Sequence, residues 1–271
     1  MGIFSKIICL CLCLLLTGCT SLIYQPDKFF YAHPSQFNIK FDAFTIPSKD
    51  GTKISAWRLH SKTPNPKNIV LFFHGNAQNL TSHFVNLEWL TDFGYDVIIF
   101  DYRGYGVSEG EPNPKGASED GLAFLDYTYQ IYKKENFKKF IVYTQSLGGS
   151  IALRSLEDFS HRDDISLLVL DSTFLTAREV AREKTNRVLA QLISNDYTAD
   201  PKLAHITMPV LSIHSTADYV VNYQLGQDLY KRIPVSTKKD FWTFGDKGHG
   251  DIFFVQDKKY RQLFLNYVEK I

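Results

Sequence analysis

Apolar residues along the chain follow two rhythms. Continuous apolar runs recur at 69–73 (IVLFF), 97–100 (VIIF), 140–143 (FIVY), 167–170 (LLVL) and 210–213 (VLSI). Runs apolar on both faces predict strands of a parallel sheet covered by helices. Two shorter β-rich runs, 41–46 and 54–59, are joined by the turn residues Lys49-Asp50-Gly51, and 240–244 fits an edge strand. Between the runs the spacing changes to three and four. Leu87, Leu90 and Phe93 predict one helix, and Leu122, Leu125, Tyr129 and Tyr132 a second. Ile151, Leu153 and Leu156 predict a third. Leu225, Leu229 and Ile233 follow, then Leu263, Phe264, Tyr267 and Val268. Eight strands alternating with helices predict an α/β fold: a mostly parallel eight-stranded sheet flanked by helices. Its crossovers should be right-handed and its chemistry should lie at the C-terminal ends of the strands.

One insert, about 174–207, interrupts the alternation. Ala177, Val180, Ala181, Val188, Leu189 and Leu192 recur there at helical spacing, which predicts a small helical cap. Its Arg178, Arg182 and Arg187 mix with Glu179 and Glu183. That mixture fits a solvated helix face, or a lid that meets a membrane or gates acyl chains. No repeat or linker divides the region 41–271, which is expected to be one domain.

The N-terminus has a different character. Lys6 precedes a ten-residue apolar run, 7–16, followed by small residues. This is the layout of a secretory signal, since a membrane-spanning helix needs roughly 20 apolar residues. Leu16-Thr17-Gly18-Cys19 resembles the lipobox of bacterial lipoproteins. The resemblance implies a signal peptide over 1–18, cleavage before Cys19, and lipid on that cysteine. Residues 19–40 become a lipidated tether, whose Tyr24, Phe29, Phe30 and Tyr31 pack on the domain or lie at the lipid interface. The expected location is a bacterial cell membrane. Thr20, rather than Asp, after the cysteine points to the outer membrane, facing the periplasm, in a cell with two membranes.

Composition narrows the chemistry. All 4 cysteines lie at or before position 19, so a mature chain has no disulfide, thiol nucleophile or zinc–thiolate site. The 271 residues carry a formal net charge of +1 with no long run of one sign, so no nucleic-acid partner is expected. There is no H-E-x-x-H, and Gly104-Tyr105-Gly106 lacks the third glycine of a dinucleotide loop. No metal or cofactor is therefore expected.

Two serines compete for a nucleophile's place. Gly106-Val107-Ser108-Glu109-Gly110 matches G-x-S-x-G, the pattern of a nucleophile elbow. An elbow, however, requires a strand, a sharp turn at the serine and a helix at once. Ser108 lies several residues beyond its strand, and Pro112 and Pro114 follow. Ser146 has the required context: a strand at 140–143, the turn Thr144-Gln145-Ser146-Leu147-Gly148-Gly149, then helix. Thr144 stands where the pattern wants glycine and is expected to crowd strand and helix.

A serine hydroxyl needs a base, and the base an orienting acid, in the chain order Ser, Asp/Glu, His. His249, flanked by Gly248 and Gly250, is the one histidine after the last strand. Asp218 follows the strand at 210–213 and is the chosen acid, with Asp171 the alternative and Asp101 a loop brace. An oxyanion hole needs two N–H donors. Leu147 supplies one from directly after Ser146. Asn76 supplies the other from the loop His74-Gly75-Asn76-Ala77-Gln78-Asn79, where Gly75 is expected to turn the amide inward.

In order, HGNAQN, DYRGYGVSEG, QSLGG, HSTADYVV and GHG resemble the α/β-hydrolase superfamily over about 40–270. They are most similar to its membrane-associated serine hydrolases of the serine-aminopeptidase type, which include acyl-protein thioesterases and lysophospholipases. The resemblance implies Ser146 as nucleophile, Asp218 as acid and His249 as base, with Asn76 and Leu147 as oxyanion donors. The expected activity is hydrolysis of a carboxylic ester or acyl thioester on a small or acylated substrate. A serine peptidase or amidase, and a non-catalytic binding lipoprotein with this fold, stay open as alternatives.

Overall fold

A computed structural model describes residues 23–184, 203–245, 248–253 and 258–271. The apolar run at 7–16, Cys19, and Val188, Leu189 and Leu192 of the insert lie outside the described residues.

Eight strands form one sheet in the order β1-β2-β4-β3-β5-β6-β7-β8. They are β1 (Phe41–Pro47), β2 (Lys53–Leu59), β3 (Asn68–Phe73) and β4 (Tyr95–Phe100). The remainder are β5 (Lys139–Gln145), β6 (Ile165–Asp171), β7 (Val210–Ser215) and β8 (Lys239–Phe244). β1 pairs antiparallel with β2, and β2 with β4; all other pairs are parallel. This is the α/β-hydrolase fold.

The continuous apolar runs exist because the central strands are covered on both sides. Along β3, Ile69, Leu71 and Phe73 enter one core and Val70 and Phe72 the other. The first core holds Phe124 of α2 (Pro114–Lys134), Ile151 and Leu156 of α3 (Leu147–Asp158), and Leu229 of α5 (Tyr223–Arg232). The second holds Trp89 and, from α6 (Lys258–Lys270), Phe264 and Val268. Phe100 of β4 stacks on Phe124 of α2 with ring centroids 4.3 Å apart. Burying a side chain of this size contributes about 2–3 kcal/mol, so the sheet is held chiefly by these two apolar layers.

The expected helix around Leu87, Leu90 and Phe93 takes another form. After the one-turn α1 (Leu80–His83), the chain makes two 3₁₀ segments, Phe84–Asn86 and Glu88–Phe93. A strict spacing of three fits the three-residue 3₁₀ turn better than the α-helix. Leu87 and Leu90 are fully buried, Phe93 is half exposed, and Gly94 at φ 86° ends the segment. In the insert, the described residues include α4 (Ala177–Lys184), packed through Ala177 and Val180.

Residues 23–31 ahead of β1 lie against the domain. Ile23 and Tyr24 are buried, whereas Phe29 and Phe30 are 66% and 55% exposed. The aromatics of the expected tether thus divide between packing and exposure.

Candidate active site

The chain reverses at Ser146. β5 ends at Gln145, Ser146 takes φ 52° and ψ −121°, and α3 starts at Leu147. A non-glycine residue in such backbone costs of order 1–3 kcal/mol and persists where neighbours over-determine it. Here the Ser146 N–H donates to the Asp171 carbonyl at 2.9 Å, and the Gly149 N–H to the Ser146 carbonyl at 3.0 Å. The two glycines after the turn set the close approach of α3. A Cβ on Gly148 would lie 2.3 Å from the Phe73 carbonyl oxygen, and one on Gly149 2.2 Å from Thr173 Cγ2.

Thr144 does not sit at that close approach. It is fully buried within β5, and its hydroxyl donates to the Val169 carbonyl of β6 at 2.8 Å. The strand absorbs its side chain sideways, while the room for the helix comes from Gly148 and Gly149.

His249 lies after β8, and its Nδ1 is 2.7 Å from Asp218 Oδ2. The Asp218 carboxyl is buried. Its Oδ1 accepts from the Val220 and Val221 N–H groups at 2.8 and 2.9 Å, and His214 Nε2 is 3.4 Å from Oδ2. Burial pushes this carboxyl up, but hydrogen bonds to His214 and His249, the His249 charge and the Val221 N–H together hold it well below the usual carboxylate range. It is ionised at any working pH. With Nδ1 held, Nε2 is the nitrogen left for the cleft that His249 shares with Ser146.

Asp171, the alternative acid, has other partners. Its carboxyl accepts from Tyr143 Oη at 2.7 Å and from Ser172 Oγ at 3.1 Å. Burial raises it to about 6, against the lowering effect of Tyr143, the His249 charge and Ser172.

The cleft is about 610 Å³. Ser146, His249, Gly75, Asn76, His83 and Val220 are among the residues that line it. A Cβ on Gly75 would lie 3.7 Å from Ser146 Cβ, so this loop runs beside the serine. Within this loop Ala77 and Gln78 carry positive φ, 61° and 55°, and Gly75 does not. His83 stacks on His74 at 4.8 Å, and desolvation with the nearby His74 charge pushes it down to about 3. It therefore presents a neutral imidazole to the cleft.

Ser108 is 5% exposed and is not among the cleft-lining residues. Its Oγ accepts from the Ser55 N–H at 2.9 Å and donates to the Asp101 carbonyl at 3.0 Å. Gly106, at φ 50°, permits contact with Asp101, since a Cβ there would meet Asp101 Oδ2 at 2.1 Å. Asp101 in turn accepts from the Leu80 N–H at 2.6 Å, the bracing role expected of it.

Sequence reasoning missed three holding residues. Gln145 Nε2 donates to the Gly250 carbonyl at 3.1 Å, and its Oε1 accepts from Asn86 at 3.2 Å. Ser172 Oγ accepts from the Gly250 N–H at 3.0 Å. His214 sits against Asp218 as described above. Only Gln145, next to Ser146 in the elbow, carried a positional signal.

Comparison with known proteins agrees with this architecture. The family model for serine aminopeptidase, S33, matches residues 64–198, a span that includes Asn76 and Ser146 and ends before Asp218 and His249. The YfhR protein of Salmonella typhimurium is 30% identical over 259 residues, covering 91% of this chain and 86% of its own. The lysophosphatidylserine lipase ABHD12 of Danio rerio is 34% identical over 182 residues, 60% of this chain and 46% of that protein. Among solved structures, an esterase of Pyrococcus furiosus superposes with a TM-score of 0.72 at 20% identity, covering 92% of this chain and 97% of its own. At that identity the match speaks for the fold.

Proposed function

The chain belongs to the α/β-hydrolase superfamily, in one family with the YfhR proteins, and from that membership we propose that it is a serine hydrolase of acyl esters. The observation that carries the reading is the pairing of His249 Nδ1 with the buried Asp218 carboxylate, in a cleft that Ser146 shares. Ser146 Oγ attacks the substrate carbonyl while His249 Nε2 takes its proton. Asp218 fixes the tautomer and stabilises the imidazolium that forms. The Leu147 and Asn76 N–H groups hold the oxyanion, and a donor of this kind is typically worth 10²–10³ in rate. His249 then returns the proton to the leaving alcohol or thiol, and water repeats the sequence on the acyl-enzyme.

An acyl ester or thioester is favoured over an amide for two reasons. Val85 and Val220 give the cleft apolar wall, and the relative named a lysophosphatidylserine lipase acts on an ester. The description of the matching family model favours a second reading, an aminopeptidase. The protein is exported and held by lipid on Cys19 to a bacterial membrane, the outer membrane in a cell that has two. The lipobox-like Leu16-Thr17-Gly18-Cys19 supports this part.

A fluorophosphonate probe tests the mechanism: it labels the wild type and leaves Ser146→Ala unlabelled. Labelling of Ser146→Ala, or none of the wild type, removes the proposal. A series of p-nitrophenyl esters of rising chain length, run beside aminoacyl amides, separates the ester reading from the peptidase reading. Radiolabelled palmitate should enter the wild type and not Cys19→Ser.

A further inference from the structure

The loop proposed to hold the oxyanion is fastened to a segment far from it in sequence. Asn76 spends its side chain on that segment: Oδ1 accepts from the Gln25 N–H at 3.0 Å, and Nδ2 donates to the Ile23 carbonyl. Tyr105 Oη also donates to Oδ1, at 2.8 Å. Two residues on, Gln78 forms a parallel bridge with Pro26. Asn79 Nδ2 donates to Asp27 Oδ1 at 2.9 Å and to the Phe29 carbonyl at 2.8 Å. Thr81 Oγ1 accepts from the Tyr31 N–H at 3.1 Å, and the Gly106 N–H donates to the Asp27 carbonyl at 2.9 Å.

These bonds surround the strained part of the loop. Ala77 and Gln78 are consecutive non-glycine residues in left-handed backbone, between the two asparagines that bind the segment. Backbone of that kind persists only where its surroundings over-determine it. Asn79 Oδ1 supplies one local restraint by accepting from the Thr81 N–H at 2.9 Å. The restraint on Asn76 itself comes from residues 23–25 and Tyr105. Gln25 also lines the cleft beside Ser146, so the segment reaches the reaction space.

We propose that residues 23–31 are a strap that positions the oxyanion loop, and that the Asn76 side chain is the positioning group through which the strap sets the Asn76 N–H. This rests on the serine hydrolase reading above. The strap touches no reacting atom in this account; it acts by fixing an amide. An N–H displaced by about 1 Å loses most of its effect in the transition state and little of its effect on ground-state binding. The signature is therefore a fall in kcat at nearly constant KM.

Two substitutions attack the strap at separate points in the full chain. Asn76→Ala keeps the backbone N–H and removes all three side-chain bonds, to Gln25, Ile23 and Tyr105. Asn79→Asp keeps the Oδ1 acceptor for Thr81 and removes the donors to Asp27 and Phe29, with like charge now facing Asp27. Each is expected to lower kcat for a p-nitrophenyl ester by about 10–100-fold, with KM within about threefold. Each should weaken a trifluoromethyl ketone, which forms an oxyanion on Ser146, by a similar factor. The double variant should lose little beyond the worse single one, because both act on one element. Thermal melts separate this from unfolding: a merely structural strap lowers Tm while kcat of the folded protein stays unchanged, which overturns the proposal. So does an equal rise in KM. A wild type without turnover removes the hydrolase reading and the strap with it, whereas active variants remove the strap alone.

Discussion

Gln145, the residue before Ser146, donates from Nε2 to the carbonyl of Gly250, the residue after His249, across 3.1 Å. The loop carrying the proposed base is thus tied directly to the turn carrying the proposed nucleophile. The contact is close: a Cβ on Gly250 would lie 2.0 Å from Gln145 Nε2. Removing the tie should misplace the imidazole without removing any reacting group. Gln145→Ala is expected to lower kcat roughly tenfold, with KM little changed. Gln145→Glu should not restore it, because a carboxylate cannot donate to the Gly250 carbonyl. Steady-state kinetics of the two variants provide the check.

Ser108 should behave as a structural residue. Ser108→Ala leaves the buried Ser55 N–H without its acceptor and the Asp101 carbonyl without its donor. A buried group left unpaired costs about 1–3 kcal/mol, which for a domain of this size lowers Tm by roughly 5 °C. Fluorophosphonate labelling should persist at the wild-type rate. Loss of labelling in protein that still melts cooperatively would contradict the bracing role.

Thr144 fills its place in β5 rather than obstructing the elbow. Thr144→Gly removes the hydroxyl bond to Val169 and puts a glycine in a central strand. The two losses together cost about 2 kcal/mol. Urea unfolding should show the loss, and kcat/KM should not rise. A clear gain in kcat would mean that the threonine does crowd the turn.

Asp171 predicts a pH-dependent stability. Its carboxyl is raised from 3.8 to about 6 by burial. Between about pH 4 and 6 the folded state keeps a proton that the unfolded chain has released. Stability therefore falls as pH rises through this window, and the loss is complete above about pH 6. A shift of two units corresponds to about 3 kcal/mol. Asp171→Asn has no such titration. Whatever its offset at pH 4, its stability relative to wild type should improve by about that amount by pH 7. Melting curves across pH 4–8 read this directly, and a difference that stays flat counts against a buried, raised Asp171.

The strand runs, the two helix-rich layers and the backbone reversal at Ser146 were legible along the chain, because each depends on near neighbours. Periodicity reports which faces of an element are buried, and a strand–turn–helix order reports where backbone must reverse. The 3₁₀ segments at 84–93 were half visible: the spacing of three was present, but Phe93 proved half exposed. Position ranked Asp218, just beyond the end of β7, ahead of Asp171, the last residue of β6. Folding separates them, bringing His249 to one and Tyr143 to the other. The hydrogen bonds of residues 23–31 to the loop around Asn76 and Asn79 had no sequence signal. They join groups about 50 positions apart, such as Gln25 and Asn76. Hydrogen bonds of that kind exist only after the two cores have packed and set the separation between the segments. Local pattern determined the elements and the elbow; long-range packing decided which polar groups meet around them.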